Sequence, residues 1–154
     1  MRQIMGSSGV RSRLALRWSA FGFALATAYN SVVAIREDLP GEPLGIGVPL
    51  PVRTATLAGW GSAVAAPWPM PLAAVLAAAR SGSPDGVGRS AAGPAMVCAG
   101  LGLAGVVGIL IEPNTYRARC WTPATRRAAL LHMATCAALA GSGIWQVLAG
   151  RAGA

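Results

Sequence analysis

Residues 54–79 read TATLAGWGSAVAAPWPMPLAAVLAAA, 26 positions without a charged side chain. A regular helix of that length would exceed the hydrocarbon thickness of a bilayer, about 30 Å. Pro67, Pro69 and Pro71 forbid a regular helix throughout. A proline in a helix interior removes a backbone donor and clashes with the preceding turn. Inside a membrane, backbone freed this way persists only where protein or water satisfies it. The segment is therefore expected as a strongly kinked span, a half-helix with an extended elbow, or a re-entrant segment.

Three further stretches are apolar over a comparable length. Trp18–Ile35 spans 18 residues, about 27 Å as a helix. Arg11, Arg13 and Arg17 precede it, and Arg36, Glu37 and Asp38 follow. Ala26-Thr27-Ala28 has the form of a signal-peptide cleavage site. The apolar run continues past it to Ile35, which favours an uncleaved helix. Pro94–Ile111 follows, with Ser90 as a cap and Pro94 in the first turn. Ala128–Gly150 is the last, and Thr122-Pro123 supplies a helix start upstream.

The composition agrees. The chain is 54% hydrophobic and 12% charged, with mean hydropathy +0.52. Soluble domains carry about twice that charge. One 154-residue globule cannot hide so much apolar surface inside itself. All 13 basic residues are arginine, which together with heavy Ala, Gly and Pro usage points to a GC-rich bacterial genome. The net charge of +8 does not signal nucleic acid, because the arginines stand at the edges of apolar segments rather than along one face. Such flanking arginines set orientation and meet lipid headgroups.

These readings give an all-α integral membrane protein. It is expected as a small four-helix transmembrane bundle with the second helix broken by prolines. One membrane domain covers 1–154, with spans at about 18–35, 54–79, 94–111 and 128–150. The loop 39–52 is rich in proline and aliphatic side chains, and should lie on the membrane surface or plug the bundle mouth. Small residues four apart mark candidate packing faces: Ala55/Gly59/Ala63, Gly100/Ala104/Gly108 and Ala134/Ala138/Ser142. The expected location is the cell (inner or plasma) membrane, multi-pass, with a cytoplasmic N-terminus.

Arginine counts barely constrain topology. With four crossings, the N-terminal side holds Arg2, Arg11, Arg13, Arg17, Arg80, Arg89 and Arg151, seven of the 13. If the proline-broken segment does not cross, Arg80, Arg89 and Arg151 leave that side. Arg117, Arg119, Arg126 and Arg127 join it, giving eight of 13. The uncharged length of 54–79 argues for four crossings.

Polar residues gather where the first and third apolar helices end and the fourth begins. Asn30, Glu112 and His132 are the candidate ligand-binding residues. Pro113 disfavours α geometry at Glu112, so the third apolar helix should end there. A carboxylate at a helix C-terminus faces the negative end of the dipole. It should have a cationic neighbour, and Arg117, Arg119 and Arg126 are the candidates, with protonated His132 another. His132, the only histidine, is expensive in a membrane helix without a partner.

No catalytic residue, metal set or cofactor is expected. One histidine with scattered carboxylates makes no ligand cluster. Cys98, Cys120 and Cys136 form no CxxC pair. GLGLAG (100–105) lies mid-helix with no strand before it, so it reads as packing. The expected role is a non-enzymatic accessory protein that binds a membrane protein partner, a second copy or a lipid. The alternative is a small transporter or ligand-binding membrane protein using Asn30, Glu112 and His132.

Overall fold

The structure, a computed structural model, describes residues 2–47, 49–81, 89–113 and 121–152. They form α1 (Arg2–Arg36), a single 3-10 turn (Pro43–Gly45), α2 (Val52–Leu57), α3 (Pro69–Arg80), α4 (Arg89–Leu110) and α5 (Pro123–Ala152). No strand occurs among the described residues. Three stretches, Gly9–Arg36, Ala92–Leu110 and Pro123–Arg151, are helices long and apolar enough to cross a membrane.

On α1 the buried residues Ser12, Leu16, Ala20, Phe23, Thr27, Asn30 and Ala34 recur every three or four positions. Trp18, Phe21, Leu25, Tyr29 and Val32 are exposed between them. The inward stripe mixes apolar residues with Ser12, Thr27 and Asn30, while from Trp18 to Val32 large apolar side chains face outward, unlike a helix in water. Thr27 and Ser31 donate their hydroxyls to the carbonyls of Phe23 and Thr27, one turn back. α1 stops at Asp38, which takes the left-handed conformation (φ 49°). The Leu39 amide then donates to the Ala34 carbonyl, closing the end as a Schellman-type cap.

α5 begins as its sequence suggests. The Thr122 hydroxyl accepts the Thr125 amide at 3.2 Å, and Pro123 occupies the first helical position. α4 differs from expectation. It starts at Arg89, which leaves Pro94 inside the helix rather than in its first turn.

The proline-rich segment 54–79 forms two short helices, α2 and α3, with residues 58–68 between them. Pro69 opens α3 and Pro71 lies in its first turn, where backbone amides have no helical partner to lose. Pro67 stays outside. The connection turns on Gly59 (φ 93°) and Gly61 (φ 82°). Ser62 and Ala65 then bond reciprocally, amide to carbonyl, and the Ser62 hydroxyl also accepts the Ala65 amide at 3.1 Å. A Cβ at Gly61 would sit 2.7 Å from the Ala65 carbonyl oxygen. Local bonds therefore satisfy much of the irregular backbone.

α5 runs antiparallel to both α1 and α4, and α3 packs between α1 and α4 on one half of the molecule. The core has two clusters. One joins Leu16, Ala20 and Phe23 of α1 to Ala74 of α3, Cys98 of α4 and Leu139 of α5. The other joins Val33 and Ala34 to Ala63, Val64, Ile109, Ala128 and Ala129. Thr27 and Asn30 on α1, Gly105 on α4 and His132 on α5 fall in sequence between the two clusters.

The α4–α5 seam is built on Gly102 and Gly105 of α4 and Gly143 of α5. A Cβ at Gly102 would lie 2.5 Å from the Ala140 amide nitrogen, and one at Gly143 would lie 2.6 Å from the Ala95 carbonyl oxygen. Of the expected faces, Ala55, Ala63 and Ser142 are buried, but the others differ. Gly100, Ala104 and Gly108 are exposed, as are Ala134 and Ala138. Added Cβ atoms at Gly100 and Gly108 would meet nothing within 4 Å. In a helix this rich in small residues, spacing alone does not say which face packs.

Candidate functional site

α3 is ten residues shorter than α4 (12 against 22), so it accompanies only part of it. A helix segment of ten residues would occupy on the order of 1,200 Å³. The compact turn 58–68 fills part of that space. What remains is a half-open cleft of about 920 Å³, bounded by residues 60–67 and Met70, by α4, and by the loop 40–50. Its volume lies in the range of ligand pockets, about 300–1,000 Å³.

The floor is α4. Ala104 and Gly108, expected as packing residues, line the cleft instead, and their small size gives it depth. Trp60, Val64, Met70 and Ile109 make most of the wall apolar. Leu44, Ile46 and Leu50 form the outer lip and are exposed. Polar side chains are few: Ser62, Glu112 and His132.

Glu112 is buried, 4% exposed, just beyond the end of α4. Both carboxylate oxygens accept the backbone amide of Glu42, at 3.2 and 3.0 Å. Beside it the Leu44 amide donates to the Ile111 carbonyl at 3.3 Å. The two contacts fasten loop 40–50 to the tip of α4 and cover a helix-end carbonyl that has no partner within the helix. Leu44 is held at φ 58°, a conformation that costs a bulky side chain energy. Gly41 completes the attachment, since a Cβ there would be 3.2 Å from the Ser62 Cα.

The expected cationic partners are Arg117, Arg119 and Arg126. Arg117 and Arg119 lie outside the described residues, as does Cys120. Arg126 is exposed in the first turn of α5. Glu112 accepts a backbone N–H of the first loop, 70 residues away in sequence.

His132 sits about 10 Å deeper than Glu112, because it faces Gly105, seven residues back along α4. It is 5% exposed, and its Nε2 faces Gly105, where an added Cβ would lie 3.6 Å from it. Its ring meets Phe23 edge to face at 6.2 Å. Nδ1 is buried and has no hydrogen-bond partner among the described residues. Asn30 is fully buried, and neither of its amide atoms has a partner among the described residues. It does not line the cleft. The structure thus brings Glu112 and His132 into one cavity and leaves Asn30 in the bundle interior.

Sequence reasoning missed Trp60, Ser62 and Met70 as wall residues. Their only signal was position: they flank the proline triplet, where a missing helix must leave space. Cys98 and Cys136 are buried free thiols, with Cys98 Sγ 3.5 Å from the Ala74 carbonyl oxygen. No group of three His, Cys, Asp or Glu side chains converges among the described residues. Comparison with known proteins returned no matching family model, no matching curated protein and no matching solved structure.

Proposed function

We propose that this chain is a multi-pass integral membrane protein that holds a small apolar or amphiphilic molecule of the bilayer in the cleft above α3. The observation that carries the reading is the cleft itself. It is large, apolar-walled, floored by small residues and half open, with two buried polar side chains at different depths. In this reading α1, α4 and α5 cross the membrane. The α2–α3 segment makes a fourth, discontinuous crossing, and the N-terminus is cytoplasmic. The bundle is of the bacterial cell-membrane kind. Of the two roles expected from sequence, ligand binding is thus preferred to a purely accessory one.

Trp60 lines the cleft and reports on it. In detergent-solubilised protein, 1-bromododecane should quench tryptophan fluorescence with a saturable component that Trp60→Phe abolishes. Gly108→Leu projects a side chain into the cleft and should weaken that component at least tenfold. Its unfolding midpoint should stay close to that of the native protein, because a Cβ at Gly108 meets nothing. Purely linear quenching in the native chain, or saturation untouched by both substitutions, would sink the reading.

A further inference from the structure

Among the described residues, the N-terminal end of the bundle carries charge of one sign. Arg11, Arg13 and Arg17 stand on the first half of α1, Arg80 closes α3, Arg89 opens α4 and Arg151 lies in the last turn of α5. Glu37, Asp38, Glu42 and Glu112 belong to the opposite end, past the ends of α1 and α4, and Asp85 lies outside the described residues. Beside Arg17 a groove of about 370 Å³ runs between α1 and α3, lined by Arg17, Ala20, Phe21, Val75, Ala78 and Ala79. Ala20 and Ala78 are buried and make its floor, while Phe21 and Val75 are exposed and make its walls. At its polar end a terminal guanidinium nitrogen of Arg17 donates to the Ala79 carbonyl at 3.4 Å. That bond draws on one N–H of a planar fork that carries five, and it anchors the fork at the groove. Arg13 is one turn earlier on the same side of α1, and Arg80 follows Ala79 directly; both are exposed. Trp18 is exposed and meets Phe21 edge to face at 6.3 Å, which sets an indole at the level where aromatic side chains mark a bilayer interface.

We infer that the α1–α3 groove is a site for an anionic phospholipid, whose phosphate lies against Arg17 with Arg13 and Arg80 beside it, and whose acyl chain follows Phe21 and Val75 toward the membrane interior. The inference rests on the membrane-spanning part of the proposed function and is independent of the cleft. An apolar groove that ends in guanidinium groups matches a molecule with a chain and an anionic head. The planar fork of an arginine pairs with phosphate oxygens two at a time. A zwitterionic headgroup would bring an ammonium to the same place, and the described residues of this end offer no carboxylate to receive it. Charge complementarity therefore favours a head that is negative overall.

The test reconstitutes the full chain in vesicles of phosphatidylcholine and phosphatidylglycerol, with bromine near the head of the acyl chains of one lipid or the other. Tryptophan quenching that is lost in Trp18→Phe reports the lipid beside the groove. There the native protein should prefer phosphatidylglycerol about fivefold, the weight of one arginine near a bilayer surface. Arg17→Gln should bring the ratio close to one. Arg151→Gln, at the same end of the bundle but outside the groove, should keep it. Val75→Phe leaves every arginine and narrows the groove, and it should lower the ratio as well; it carries the decision if Arg17→Gln does not fold. Equal quenching by the two lipids in the native chain overturns the site, as does a preference that survives Arg17→Gln or Val75→Phe. A preference lost equally in Arg151→Gln also overturns it, because diffuse surface charge then suffices. Failure of the native chain to float with the vesicles removes the membrane reading, and this inference with it.

Discussion

α4 carries small residues on two faces, and the two do opposite things. Toward α5, Gly102 meets backbone and Gly105 meets the Cys136 side chain so closely that a single added carbon has no room. Toward residues 60–67 and Met70, Ala104 and Gly108 face open space and floor a cleft. The residue types are the same, and what differs is the neighbour. A full-length helix opposes the first face. A half-helix and an irregular turn oppose the second. A small-residue stripe therefore marks where side chains are absent, and the opposing element decides whether that absence becomes contact or cavity.

The comparison is broken most sharply by adding one methyl group to each face. Gly102→Ala places a carbon 2.5 Å from the Ala140 nitrogen and 2.6 Å from the Cys136 carbonyl oxygen, both backbone atoms. Overpacking of that kind costs about 1–3 kcal/mol, and this contact belongs at or above the upper end. Gly108→Ala meets nothing and should instead stabilise the protein by up to about 1 kcal/mol, the helix-propensity difference between glycine and alanine. Reversible unfolding in mixed micelles measures both, and equal losses would erase the distinction between the faces.

An intermediate effect is expected where the loop is fastened over the cleft. Glu112→Gln replaces a carboxylate with an amide that can offer only one oxygen to the Glu42 amide. The charge-assisted part of the bond, about 1 kcal/mol, is lost. Loop opening should then rise about fivefold, read as faster modification of a cysteine introduced at Ile46 by a water-soluble maleimide. An unchanged rate would show that Glu112 does not hold the loop. The smallest effect belongs to Leu44, which sits at φ 58° and is 72% exposed. Leu44→Gly relieves the left-handed strain, and after the glycine's added chain entropy a gain of at most about 1 kcal/mol remains. A destabilised Leu44→Gly would mean that the side chain's contacts outweigh its strain.

Much of the scaffold was legible in the sequence because long uncharged runs with charged ends admit few structures. The three long helices and the Thr122-Pro123 start follow from such signals. Helix limits were less legible. The helix at Arg2–Arg36 begins well before the apolar run at Trp18, since helix formation does not stop where hydrophobicity does. The packing face of α4 was not legible either. Positions 100, 104, 108 and positions 98, 102, 105 are both small, and periodicity alone cannot rank them. Glu112 was expected to have a cationic partner, and Arg117 and Arg119 lie outside the described residues. The backbone amide it accepts, in loop 40–50, carries no side-chain signature and depends on tertiary structure alone. His132 was noticed for its cost in an apolar helix. The space in front of it follows from the shortness of α3, which no property of α5 reveals.

The 12 residues of α3 have a further consequence, for biosynthesis. They cover about 18 Å, well short of a bilayer's hydrocarbon core. In the four-crossing arrangement proposed above, such a segment has too little length to be selected as a span when it leaves the ribosome. Its stable place depends on α1 on one side and α4 on the other, and α4 is made later. The second crossing is then completed only after the third has been synthesised, so the order of insertion departs from the order of the chain.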